Sequence, residues 1–210
     1  MAPHEPVLSF DSDSKIRFSV DGALLRELGE RLIGRPEIAL AEVIKNAYDA
    51  DARHCEISFG KGFVEIADDG NGMSQEEFLR FWMRIGSTHK KSQNRSPTLH
   101  RPLTGQKGIG RLSVQFLGRR LCLFSKSTKH REPGIRASID WSEAQKQAEL
   151  VNATATVRLE RDLGLFAGGA RHGTRLRIEE TVRNWDEPGT LRDLAQQIWM
   201  LQPPLALAGC

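Results

Sequence analysis

The sequence predicts a two-layer α/β sandwich in which a mixed, mostly antiparallel sheet is covered on one face by helices. Three observations carry this. Segments with apolar residues at helical spacing cluster early in the chain and alternating, strand-like segments cluster late. Two of the strand-like runs are separated by a glycine-framed hairpin signal. With 210 residues, 39% of them hydrophobic and 27% charged, the chain has the composition of one soluble domain with a core, expected to span residues 1–210. No apolar run approaches the length of a membrane-crossing helix, so no membrane partner is expected.

The elements follow in order. Residues 15–20 alternate as a short strand, and residues 22–32 place Leu24, Leu25, Leu28 and Leu32 at helical spacing. Pro36 suits a first helical turn and opens a second helix, with Ile38, Leu40, Ala41, Val43, Ile44 and Ala47 continuing to about Ala52. Residues 55–59 and 63–67 read as strands joined across Gly60-Lys61-Gly62. Ser74 with Glu77 three positions on is a capping box, opening a helix through about Met83. Residues 86–110 turn polar and lose periodicity, and a loop of that length is typical of lids and binding loops. A helix is expected at 109–117, strands at 121–125, 135–141, 155–159 and 174–178, and a closing helix from about Thr190 to Leu201. Cys55, Cys122 and Cys210 are scattered without a paired spacing and read as reduced thiols. The N-terminus lacks the layout of a signal peptide, so a cytoplasmic protein is expected.

The formal net charge of +3 conceals a division. Residues 1–80 hold 9 Lys+Arg against 16 Asp+Glu, residues 81–136 hold 13 against 1, and residues 137–210 hold 8 against 10. An acidic third followed by a strongly basic segment points to an anionic ligand or partner.

Three motifs bear on what that ligand is. On the second helix Glu42, Asn46 and Asp49 fall within about 60° of one another, opposite Leu40, Ile44 and Ala47. Oxygen donors one turn apart suit a hydrated magnesium ion shared with substrate phosphates, and an ordinary solvated helix face has the same pattern. Next, Asp68-Asp69-Gly70-Asn71-Gly72-Met73 follows an apolar strand. Its glycines let backbone approach a flat ligand and the ionised Asp68 can accept from an exocyclic amine, although acid–glycine pairs also make plain turns. Third, Thr104-Gly105-Gln106-Lys107-Gly108-Ile109-Gly110 joins the basic loop to a helix, where converging N–H groups and Lys107 would cradle phosphate. A dinucleotide-binding alternative needs a preceding strand and an acid about twenty residues on, and neither is present; a Gly-Lys-Ser/Thr sequence is absent too.

Taken together, Glu42-x-x-x-Asn46-Ala47-Tyr48-Asp49-Ala50, Asp68-x-Gly70-x-Gly72-Met73, Gly105-x-x-Gly108-x-Gly110 and Gly173-Thr174 resemble the ordered motif set of the GHKL ATPases. The resemblance is to the gyrase B, ninety-kilodalton chaperone, MutL and microrchidia branch, and it covers residues 42–174. It implies a Bergerat-fold sandwich with a long ATP lid at about 86–110. It implies ATP and magnesium as ligands, with Glu42 as general base, Asn46 as magnesium ligand and Asp49 as a supporting acid. Asp68, supported by Thr174, would hold adenine; Gly70, Gly72 and Met73 would border the base. Gly105, Gln106, Lys107, Gly108, Ile109 and Gly110 would wrap the phosphates, with Ser87, Thr88 and Lys90 within reach of them. It further implies an ATP-dependent homodimer. Such relatives complete their sites with a lysine from a following domain, so the chain reads as the N-terminal part of a longer protein. Two other readings stay open: a nucleotide-gated module that binds nucleic acid through the basic segment 84–136 with little ATPase activity, and a histidine-kinase catalytic domain.

Overall fold

The computed structural model describes residues 36–83, 95–104, 114, 116–128, 133–146, 154–185 and 188–200. The expected strand at 15–20 and helix at 22–32 lie outside the described residues. The strands are β1 (Cys55–Gly60), β2 (Phe63–Asp68), β3 (Gly118–Lys126), β4 (Gly134–Asp140), β5 (Thr156–Glu160) and β6 (Gly173–Thr181). They form one sheet in the order β1-β2-β6-β3-β4-β5, and each neighbouring pair is antiparallel. The helices are α1 (Pro36–Asp49), α2 (Gln75–Glu77), α3 (Trp141–Lys146) and α4 (Pro188–Met200).

Alternation along the strands decides which residues face the helices, because successive side chains point to opposite sides. The register aligns these residues in three cross-strand rows. One runs Phe59, Val64, Ile178, Leu121, Ile139, and the next runs Ile57, Ile66, Leu176, Leu123, Ala137. Val64, Leu123 and Ile178 are fully buried, and burying each such side chain contributes about 1.5–3 kcal/mol. Ala39, Leu40 and Val43 of α1 and Leu194 of α4 pack onto this surface with Leu117, Trp141 and Trp185. The third row, Cys55, Asp68, Thr174, Ser125, Ile135, is polar at its centre. A sheet face that is apolar over two rows and polar in the third prepares a site at one end of the sandwich.

The local starts and stops have identifiable causes. The capping box at Ser74 is complete, with the hydroxyl accepting from the Glu77 N–H and the Glu77 carboxylate accepting from the Ser74 N–H. Only the first turn beyond it is α-helical. Phe78–Trp82 widen into a π-turn closed by Met83 N–H to the Phe78 carbonyl (2.9 Å), which stacks the Phe78 and Trp82 rings at 5.5 Å. α3 was not expected from the sequence. Asp140 caps it, accepting from the N–H groups of Ser142 and Glu143 at 2.9 and 3.2 Å, so the strand stops before Trp141.

The connection from β5 to β6 crosses the sheet face away from α1. Along it Leu163, Phe166 and Ala167 are buried, Gly168 N–H donates to Glu56 (2.8 Å), and Arg175 donates to the carbonyls of Leu163 and Leu165. The Arg175 and Arg136 guanidinium groups lie 4.6 and 5.4 Å from the Phe124 ring centre. Among the described residues, no helix is long and apolar enough to cross a membrane.

Candidate functional site

The polar row supplies the floor of the site. Asp68, the last residue of β2, is only 8% exposed. Its Oδ1 accepts from the N–H groups of Gly70 (2.9 Å) and Thr174 (3.2 Å), whereas its Oδ2 has no hydrogen bond among the described residues. Burial pushes this carboxyl up to about 6 against the pull of the two backbone donors; the charge of Asp69 adds to the rise and His172 opposes it. Beside it, Ser125 is fully buried. Its hydroxyl accepts from Met73 N–H (2.9 Å), donates to the Gly173 carbonyl (3.1 Å) and lies 3.2 Å from the Thr174 hydroxyl. Met73 itself packs against Phe78, Leu123, Ile135 and Ala137.

The turn at 68–72 is set against the end of α1. Asn71 N–H donates to the Ala50 carbonyl (2.8 Å), and Asp69 accepts from the N–H groups of Arg53 (2.7 Å) and His54 (2.8 Å). A Cβ on Gly70 would stand 2.7 Å from the Ala50 carbonyl oxygen; Gly72 has φ +60° and a Cβ there would overlap the Lys126 carbonyl. Contact between backbone segments of the protein therefore already requires both glycines, where the sequence suggested space for a flat ligand.

The stripe on α1 divides into two parts. Glu42 lies 2.6 Å from the Lys45 ammonium and both are partly buried; the Asn46 amide has no side-chain partner among the described residues. Asp49, 7% exposed, accepts at Oδ1 from both the N–H (2.8 Å) and the hydroxyl (2.9 Å) of Thr104. Asp49 thus holds the residue that precedes the glycine-rich motif. Gly105, Gln106, Lys107, Gly108, Ile109 and Gly110 lie outside the described residues, as do Ser87, Thr88 and Lys90. No group of three His, Cys, Asp or Glu that could hold a metal occurs among the described residues. One amide and nearby carboxylates, without a protein cage, fit a magnesium ion that arrives already held by phosphates.

Residues 95–104, expected as part of one long loop, are seated on the end of α1. Arg95 and Pro102 pair across a bridge, and Ser96, 1% exposed, exchanges hydrogen bonds with Arg101. The Arg101 guanidinium donates to the carbonyls of Ala52 (2.6 Å) and Tyr48 (3.4 Å) and lies 4.8 Å from the Tyr48 ring centre. Asp51 accepts from Thr98 N–H (2.8 Å), Leu99 N–H (3.1 Å) and the Asn71 amide (3.0 Å). Burial alone would raise the Asp51 carboxyl, but the polar groups of Ser96, Thr98, Leu99 and Asn71 around it hold it below its ordinary value.

Sequence reasoning missed Ser125, Asp51, Ser96 and Arg101. Ser125 carried a signal: it is the polar residue at a core-facing position after Leu121 and Leu123. Several basic residues of the described part of the segment are already engaged within the domain. Arg101 is bound to carbonyls, Arg120 pairs with Glu180, and Arg136 pairs with Glu160.

An antiparallel sheet covered on one side, with an acid–glycine turn set against the end of an oxygen-bearing helix, is the architecture of a GHKL-type ATPase domain. The chain belongs to the family of histidine kinase-, DNA gyrase B- and HSP90-like ATPases, which it matches over residues 34–172. It is 40% identical over 96 residues to the ATPase morc-1 of Caenorhabditis elegans, covering 43% of this chain and 10% of that protein. It is 33% identical over 105 residues to a putative type II restriction enzyme, HgiDII, of Herpetosiphon aurantiacus, covering 50% of this chain and 16% of that protein. With the DNA mismatch repair protein MutL of Syntrophomonas wolfei it shares 27% identity over 128 residues, 60% of this chain and 21% of that protein. The alignments thus take in only a small part of each of these relatives.

Proposed function

We propose that the chain binds magnesium-ATP at the end of the sheet marked by Asp68 and hydrolyses it, with the lid at about 86–110 controlling dimerisation or engagement of a partner. The observation that carries this reading is Asp68 itself: a buried carboxylate with one oxygen saturated by backbone donors and the other lacking a donor. An adenine N6 amine supplies the missing donor, and Thr174 keeps the carboxylate oriented through its N–H. Gly70, Gly72 and Met73 border the base.

Asn46 would hold the magnesium, which when bound neutralises phosphate charge. The residues at 105–110, with Lys107, would surround the phosphates, and Ser87, Thr88 and Lys90 would reach them from the start of the lid. Glu42 accepts the proton of the attacking water through Oε2, because Oε1 is engaged by Lys45. Asp49 acts at one remove, by fixing Thr104.

Titration of the chain with magnesium and a non-hydrolysable ATP analogue tests binding, and sizing with and without the analogue tests dimerisation. Glu42→Ala is expected to slow hydrolysis roughly 10²–10⁴-fold with ATP affinity retained; equal loss of both would remove Glu42 from the role of base. A cytoplasmic location belongs to the same reading. A second reading, engagement of DNA through the basic segment 84–136, draws on the names of the restriction and mismatch-repair relatives. Salt-dependent DNA binding by a variant unable to bind ATP would support it.

A further inference from the structure

α1 ends in a Schellman turn: Ala52 N–H reaches the Ala47 carbonyl and Asp51 N–H the Tyr48 carbonyl, both at 3.1 Å. The left-handed position of such a turn is ordinarily glycine, and here Asp51 occupies it at φ +66°. Capping the helix needs no side chain at this place, so the aspartate has to be explained by what its carboxylate does. Two of its three donors, Thr98 and Leu99, come from a segment more than forty residues further along the chain, and the third is Asn71 of the turn that carries Gly70 and Gly72. Thr98 closes the circuit by donating its hydroxyl to the side-chain amide oxygen Oδ1 of Asn71 (3.2 Å). Arg101 grips the same helix end independently through Ala52 and Tyr48. Three residues after Arg101, Thr104 is fixed to Asp49, and the glycine-rich motif begins at the next position.

We propose that Asp51 and Arg101 are positioning residues of the nucleotide site: by seating residues 95–104 on the end of α1 they set where Thr104, and with it the start of the phosphate-facing glycine segment, stands relative to Asp68. This inference rests on the nucleotide reading above. It divides the expected lid, because residues 95–104 are hydrogen-bonded to the same helix end as the adenine-facing turn. The turn at 68–72 keeps its other ties to α1, through Asn71 N–H to Ala50 and Asp69 to Arg53 and His54. Loosening residues 95–104 should therefore affect the phosphate end and spare the adenine end.

Two variants test this without sharing a partner. Asp51→Asn tolerates the left-handed backbone but turns an acceptor into a donor facing donors; Arg101→Met keeps the stem and removes the guanidinium. Affinities for adenosine and for magnesium-ATP are measured on the full chain, with kcat, KM and a thermal melt on the same samples. Both variants are expected to weaken ATP about tenfold while adenosine stays within about twofold, and Arg101→Lys is expected to recover part of the loss. A role limited to stability would lower the melting temperature of both variants and leave the ratio of ATP to adenosine affinity unchanged, and that result overturns the inference. Failure of the wild-type chain to bind ATP at all overturns the nucleotide reading, and the inference with it.

Discussion

Asp68 and Asp51 expose similarly small fractions, 8% and 7%, and lie on two sides of one turn, yet Asp68 sits deep in the domain and Asp51 near its surface, and their carboxyls shift in opposite directions. Around Asp51 the chain supplies three donors spread over both oxygens and the carboxyl stays below its ordinary value. Around Asp68 it supplies two, both to one oxygen, and burial prevails, lifting the carboxyl to about 6. A buried charge costs stability unless it is hydrogen-bonded. The difference between the two carboxylates therefore separates a group that holds the scaffold together from one that the scaffold leaves incomplete. Incompleteness of that kind is what a binding group requires.

The comparison is broken most directly by the same change at both positions. Asp68→Asn keeps a carbonyl oxygen for Gly70 and Thr174 and removes the buried charge. It is expected to raise unfolding free energy by on the order of 2 kcal/mol at pH 7 while weakening ATP roughly 10–100-fold. Asp51→Asn is expected to lower unfolding free energy by about 2–3 kcal/mol. Urea titrations of the two variants decide it, and a shared sign would end the distinction drawn here.

Ser125→Ala sharpens the picture of the floor. It strips Met73 N–H and the Gly173 carbonyl of a partner inside the core and should cost about 1–2 kcal/mol. Melting curves indistinguishable from wild type would show that the floor tolerates the loss.

The smallest effect is in pH. Asp68 titrates near 6 when folded instead of 3.8, so between those values the folded chain holds the extra proton, and raising the pH lowers stability until the full penalty is present above about 6. Asp51 and Asp69 lie below their ordinary values, so their contribution is present at neutral pH and fades as pH falls through the carboxylate range. The stability gap between wild type and Asp68→Asn should accordingly narrow by about 1 kcal/mol between pH 7 and pH 5. A gap that stays constant would place the folded Asp68 at an ordinary value.

Much of the scaffold was legible because it is written locally. Pro36 opens α1, the Ser74–Glu77 box is complete, and alternation located β1, β2, β3, β4, β5 and β6 to within a few residues. What was not legible depends on partners far apart in sequence. Nothing near Asp51 announces that Thr98 and Leu99 will converge on it, and a polar stretch without periodicity gives no reason to expect that residues 95–104 pack as a unit. α3 was a different omission: Asp140 and Glu143 supplied a local start signal, hidden by the alternating strand pattern that leads into Trp141. Within the site, Asp68 and Thr174 were anticipated and adjoin in the register, while Ser125 between them and Met73 was overlooked because a single serine in a strand has no motif.

The position of β6 has a consequence for how the molecule comes into being. The last strand in the chain lies in the middle of the sheet, between β2 and β3, more than a hundred residues after the strand it pairs with on one side. Until β6 is synthesised, the other described strands can pair as a β1–β2 hairpin and a separate β3–β4–β5 meander, each with an unpaired inner edge. Joining them requires long-range closure, which makes for slow folding. Because Thr174 arrives with that strand, the chain completes its sheet and the floor beneath Asp68 in a single late event.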